Sequence, residues 1–306
     1  MSLGLDGRSI FVHVAGRTHI GQRRGENQDA FLVVDFTNEE AGGLILEADV
    51  GTGELVDGDF VLGDKGALCL VADGMGGAAA GGVASSAAVS AIHDELRQRW
   101  IQDANSTPRR FAQRLKEAVE ASNTRIHETS RADPRFRGMG TTATAVGILD
   151  RFLYVAQVGD SRAYLVRNGE AIQLTRDQSY IQHLVESGTI TEEEAEKSDH
   201  RNMILQALGT SPVVDVDLTY QELRRGDVLI VCSDGLSKVC ARQDLTEAAQ
   251  RVGDPAALCD ELVDLANLRG GPDNITVIVA RVDGEGLEAP AAEDKVGRRI
   301  FALDQH

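Results

Sequence analysis

Short apolar runs that carry an aspartate at one end constrain this chain of 306 residues more than any other feature. CLVAD73, YVAQVGD160 and LIVCSD234 finish on the acid, and Asp273 stands just ahead of NITVIVA. Bounded apolar runs of this length read as buried strands. Their carboxylates should therefore crowd together at one rim. Like charges at close quarters raise one another's pKa and repel unless something positive lies between them, so the pattern calls for a bound cation.

The global numbers agree with a soluble globule, 42% hydrophobic and 4% aromatic, long enough for one large domain or two modest ones. A formal charge of −17 argues against nucleic acid or an anionic membrane as partner, because phosphate binding needs Lys and Arg to release counterions. No apolar stretch reaches the roughly 18 residues of a membrane span. The N-terminus has no basic segment followed by a long apolar one, so the cytoplasm is the expected compartment. Cys69, Cys232, Cys240 and Cys259 lack CxxC spacing and read as buried free thiols.

Strands are expected at 9–14 and 30–36, followed over 38–66 by a Gly- and Asp-rich surface insertion with room for a small hairpin. The Ala-, Gly- and Ser-rich segment after Gly77 reads as a helix lying close to its neighbours. A second helix starts at Pro108, with Phe111, Leu115, Val119 and Ile126 on one face. Four strand-like runs follow from 141 to 175, the last two joined by Asn168-Gly169, a hairpin signal. Residues 176–211 read as a mobile subdomain of short helices, with Thr191 and Glu194 as a capping box. Further strands come at 213–220 and 227–233. Helices start at Asp244 and at Asp254-Pro255, and a last strand follows Asn274. The tail, 283–306, has no predicted structure. The expected class is α+β, a β-sandwich with helices on both outer faces.

At the acidic strand ends, oxygen donors without a His or Cys cluster favour Mg²⁺ or Mn²⁺ over zinc. Gly74 and Gly235 follow their aspartates and Gly159 precedes Asp160, which lets backbone turn tightly or approach an ion. Arg24, in Arg24-Gly-Glu-Asn27-Gln28-Asp29, could hold two phosphate oxygens beside such cations.

Arg24-x-x-Asn27-Gln28-Asp29, Asp73-Gly74-Met75-Gly76-Gly77, Gly138-Met-Gly-Thr-Thr142, Gly159-Asp160-Ser161-Arg162, Ser233-Asp234-Gly235 and Pro272-Asp273-Asn274 together resemble the ordered motifs of the metal-dependent protein Ser/Thr phosphatases of type 2C, in their bacterial form. The resemblance covers about residues 16–282. It implies a central sandwich of two antiparallel sheets flanked by helix pairs, a four-layer αββα body, forming a catalytic domain over 1–282 with 176–211 as its flap. It further implies two Mn²⁺ or Mg²⁺ ions held by Asp73, the Gly74 carbonyl, Asp234 and Asp273. Asp29, counted as catalytic, would act from behind the ligands or through water, Arg24 would grip the phosphate, and Asp160 with Asp234 would help hold a third ion. The implied reaction is hydrolysis of phosphoserine and phosphothreonine in proteins by a metal-activated water, with a cognate Ser/Thr kinase as counterpart and a monomer as the working form.

Some positions depart from the family pattern. Lys238 stands four residues after Asp234, where many members carry an acid that supports the third ion. Ala78 and Gly82 replace a frequent His and Glu, Gln178 a His, and Gln206 an Arg. His200, in the flap, is a candidate general acid by location only. These departures support an alternative reading as a catalytically silent phosphoprotein-binding module. A third reading, dinucleotide binding at Gly74-Met-Gly76-Gly-Ala-Ala79, meets the objection that Asp73 would repel a pyrophosphate.

Overall fold

The computed structural model of the chain describes residues 9–38, 44–47, 55–77, 80–191, 194, 198 and 203–303. Two antiparallel sheets make its centre. The first contains β1 (Phe11–His19), β4 (Leu55–Val61), β9 (Arg162–Arg167), β10 (Glu170–Gln173), β12 (Val228–Cys232) and β13 (Ile275–Asp283), in the order β10-β9-β12-β13-β1-β4. The second contains β2 (Asp29–Asp35), β3 (Ile45–Glu47), β5 (Ala67–Met75), β7 (Ala143–Leu149), β8 (Phe152–Val158), β11 (Asp217–Glu222) and β14 (Arg299–Ile300), in the order β14-β11-β8-β7-β5-β2-β3. A short β6 (Gly140–Thr141) pairs with the end of β5. The helices are α1 (Ala80–Leu96), α2 (Pro108–Ala132), α3 (Tyr180–Glu186), α4 (Asp234–Ser237), α5 (Arg242–Arg251) and α6 (Pro255–Leu268).

Alternation along the strands separates three apolar cores. Phe31, Val33, Cys69 and Val71 face Val12, Val14, Val231 and Ile278 between the sheets. The opposite faces of β2 and β5, with Leu32 and Leu70, meet Ala84, Ala88, Phe111 and Leu115 of α1 and α2. Ile230, Val277 and Tyr164 on the outer face of the first sheet meet Leu245, Leu258 and Leu262 of α5 and α6. The result is the expected α+β sandwich in four layers, αββα.

The helices start where capping chemistry says they should. Thr107 caps α2 by accepting from Arg110 N at 3.3 Å, ahead of Pro108, and Asp254 caps α6 by accepting from Ala257 N at 2.8 Å. Phe111, Leu115, Val119 and Ile126 are all fully buried, as their spacing requires. Thr191 and Glu194 bond reciprocally as a capping box. All four cysteines are free and buried.

Several expectations need correction. β1 runs on to His19, beyond the expected end at residue 14. Among its described residues the insertion does not pair with itself: β3 adds to β2 and β4 to β1, so it supplies an edge strand to each sheet. The runs from 141 to 175 form two hairpins on different sheets, β7-β8 and β9-β10, and the chain crosses the sandwich at Gly159-Asp160-Ser161. The tail is also built into the body through Leu303. β14 pairs with β11, Leu287 is buried between the sheets, and Phe301 packs edge-on against Tyr154 and Tyr220. Ala78 and His200 lie outside the described residues.

Candidate metal centre

Antiparallel pairing brings the acidic strand ends to one rim, with both sheets contributing. Asp29 opens β2 and Asp73 lies near the end of β5, directly opposite it in register. Asp160 sits at the crossing from β8 to β9, Asp234 just beyond β12 at the start of α4, and Asp273 just ahead of β13. Arg24, in the connection from β1 to β2, closes the group. A cleft of about 660 Å³ is lined by Arg24, Asp73, Gly74, Asp234, Lys238 and Asp273. A second hollow of about 930 Å³ adjoins it, sharing Arg24, Lys238 and Asp273 and walled by Ile181 and Val185 of α3.

Backbone approach explains two of the glycines. A Cβ on Gly74 would stand 2.1 Å from the Gly81 carbonyl oxygen, and one on Gly235 only 1.9 Å from that of Asn274. Neither position has a positive φ. The requirement is close packing of main chain, not a left-handed turn.

Hydrogen bonds fix the rim. Thr142 donates its N–H to the Asp73 carbonyl at 2.9 Å, and its hydroxyl accepts from Asp73 N at 3.0 Å. The same hydroxyl bonds Ser161 Oγ at 2.7 Å, tying β5 to the crossing that carries Asp160. Asn274 accepts from Gln28 N at 2.8 Å and donates to the Ile20 and Glu26 carbonyls at 3.0 and 2.9 Å, which pins the Arg24 connection to the strand after Asp273. Gln178 holds Gly159, accepting its N–H at 2.8 Å on the side chain and donating backbone N–H to its carbonyl at 3.0 Å. Thr142, Ser161, Asn274 and Gln178 have no role that the sequence alone announces. Their importance lies in contacts between distant segments, which no local pattern encodes.

The electrostatics are strained. Both Asp29 carboxylate oxygens, and Oδ1 of Asp160 and of Asp234, are buried without a hydrogen-bond partner. The Ser233 and Thr276 hydroxyls favour ionised Asp29, though neither meets it with hydrogen-bond geometry. Burial, with Asp234 and Asp273 adding repulsion, pushes Asp29 up to about 7. Burial and then Asp234 and Asp29 raise Asp73 well above its ordinary value. Asp160 rises to about 6, mainly from burial and Asp234, with Lys238 opposing. Arg24 donates to Asp273 Oδ2 at 2.6 Å, which raises its own pKa.

As the side chains stand, no three His, Cys, Asp or Glu side chains among the described residues converge on one ligand position. Lys238 bonds Asp234, and Arg24 holds Asp273. The orphaned oxygens nevertheless carry more weight, because a buried carboxylate without a partner costs several kcal/mol. An all-oxygen set of buried, unpartnered carboxylates fits hard divalent cations.

Residues 56–267 match the protein phosphatase 2C family. The chain belongs to that family. It is 31% identical over 271 residues to protein phosphatase PhpP of Streptococcus pneumoniae, covering 89% of this chain and 98% of the relative. It is 40% identical over 215 residues to the serine/threonine protein phosphatase PstP of Mycobacterium tuberculosis, covering 70% of this chain and 40% of that longer relative. A solved PstP catalytic domain in complex with two manganese ions superposes with a TM-score of 0.70 at 33% identity, covering 90% of this chain and 99% of that one. Among the described residues of this phosphatase 2C chain, no helix is long and apolar enough to cross a membrane.

Proposed function

We propose that this chain hydrolyses phosphoserine and phosphothreonine in proteins, using Mn²⁺ or Mg²⁺ at the rim cleft. One observation carries the reading: in a phosphatase 2C chain, Asp73, Asp234 and Asp273 line one cleft together with Arg24, and Asp29, Asp160 and Asp234 at the same rim keep buried oxygens without a partner. Asp73, the Gly74 carbonyl, Asp234 and Asp273 would hold two ions, with Asp29 behind them acting through water. Bound there, the ions would supply an acidified water as nucleophile and neutralise charge on the phosphoryl oxygens.

The chain's own groups do the rest. Arg24, its side chain 55% exposed, is aimed by Asp273 and keeps N–H donors for phosphate oxygens. Thr142 and Asn274 keep the carboxylates and Arg24 in register, so that little reorganisation is needed as charge develops. Residues 176–211 act as the flap, and the hollow beside α3 admits the protein chain that bears the phosphate. The protein works in the cytoplasm as a monomer, opposite a Ser/Thr kinase.

Hydrolysis of p-nitrophenyl phosphate and of phosphopeptides should require Mn²⁺ and stop with a chelator. Asp234→Asn should lower kcat/KM by about 100-fold or more. Turnover that survives both treatments rules the proposal out. The contact of Lys238 with Asp234 favours a second reading, a silent phosphoprotein-binding module. That reading requires phosphopeptide binding with no turnover in any divalent cation.

A further inference from the structure

The carboxylates at the rim are not equivalent. Asp234 accepts from the Lys238 ammonium, which also lies 3.6 Å from Asp160 Oδ2. The Lys238 side chain is 29% exposed, while those of Asp234 and Asp160 are 11% and 3% exposed. A fixed positive charge thus reaches inward to the two carboxylates at the α4 end of the cluster. Its attachment is local, since Lys238 stands one turn after Asp234 and its backbone N–H donates to the Asp234 carbonyl at 2.9 Å.

Burial works against that ammonium, but Asp234 and Asp160 outweigh it and hold its pKa above the usual value. A divalent ion placed between Asp160 and Asp234 would have to displace Lys238 from both and then face its charge at short range. At the other end of the cluster, Asp73 lines the cleft, and both Asp29 oxygens and Oδ1 of Asp234 have no hydrogen-bond partner.

We propose that Lys238 is a resident cation that takes the place of a third metal ion, so that this chain binds two divalent ions and leaves Asp160 paired to protein. The inference rests on reading the rim as a cation site. Its consequence is that Asp160 serves to seat the Lys238 ammonium, and that the count of bound ions is set by one side chain.

Manganese anomalous scattering from crystals of the full chain grown in Mn²⁺ locates each ion, and calorimetry counts uptake in solution. The wild type should show about two sites, neither between Asp160 and Asp234. Lys238→Asp should gain a third site beside Asp160, and Lys238→Met, which removes the charge without adding a ligand, should allow weaker uptake there. A third ion beside Asp160 in the wild type overturns the proposal, whatever the variants do. Equal counts in the wild type and both folded variants also overturn it. No ion at the rim of the wild type would instead refute the underlying cation site.

Discussion

Asn274 shows how much of the site depends on a residue with no chemistry of its own. Its amide spans three backbone groups, Gln28 N, Ile20 O and Glu26 O, and thereby joins the loop bearing Arg24 to the strand after Asp273. Asn274→Ala deletes all three bonds. At about 0.5–1.5 kcal/mol each, the loss should come to roughly 1.5–4.5 kcal/mol, read from denaturant midpoints. Phosphatase activity should fall with it, because Arg24 loses its bearing. A variant of wild-type stability and rate would show that the loop is held by other means. The aspartates are legible in the sequence because each flanks an apolar run. Asn274 and Thr142 were not assigned a role, since what they do is defined by partners more than 60 residues away.

Elements meet most tightly where α4 begins. Gly235→Ala places a methyl group 1.9 Å from the Asn274 carbonyl oxygen, a backbone atom that cannot rotate aside. Overpacking of this kind costs about 1–3 kcal/mol and should also shift Asp234. Thermal unfolding and Mn²⁺ affinity should therefore decline together, and a neutral substitution would contradict the packing account.

The C-terminal segment makes a second test at the scale of elements. Asp294 accepts from Arg224 and from Ala291 N, and the arginine chiefly holds its carboxyl at about 2, below the ordinary value. A depressed carboxylate pKa contributes stability that is complete above the unfolded value near ~4. That contribution is lost as pH falls through about 2. At pH near ~7, where the pair is fully formed, Asp294→Asn should loosen the segment and raise exchange of the Phe301 amide, which donates to Leu218 O. The difference from wild type should shrink with acid over that window. An unchanged difference at the acid end would exclude the pair as its cause.

Across the whole molecule, a net charge of −17 is partly gathered at one rim, where burial and mutual repulsion oppose folding. A ligand that binds only the folded form stabilises it by mass action, about 2.7 kcal/mol at a hundred times its dissociation constant. For a chain of this size that corresponds to a rise of roughly 4 °C in Tm. Mn²⁺ should produce such a shift in the wild type and a much smaller one in Asp234→Asn. Equal shifts in both would place the effect on the acidic surface at large.

Local patterns in this chain are enough to mark most strands of the sandwich, the starts of α2 at Pro108 and of α6 at Asp254-Pro255, the Asn168-Gly169 hairpin and the acids that would meet at a rim. Those features depend on spacing, caps and turn chemistry, which act within a few residues. Other features came only with the folded arrangement. They include the division of two consecutive hairpins between opposite sheets, the edge strand that the insertion lends to each sheet, the docking of the tail through β14, and the reach of Lys238 to Asp160. An apolar run has the same periodicity whichever sheet buries it, and a charge has the same sequence whichever carboxylate it meets. Strand partners and ion pairs were decided by which distant surfaces could be closed against one another.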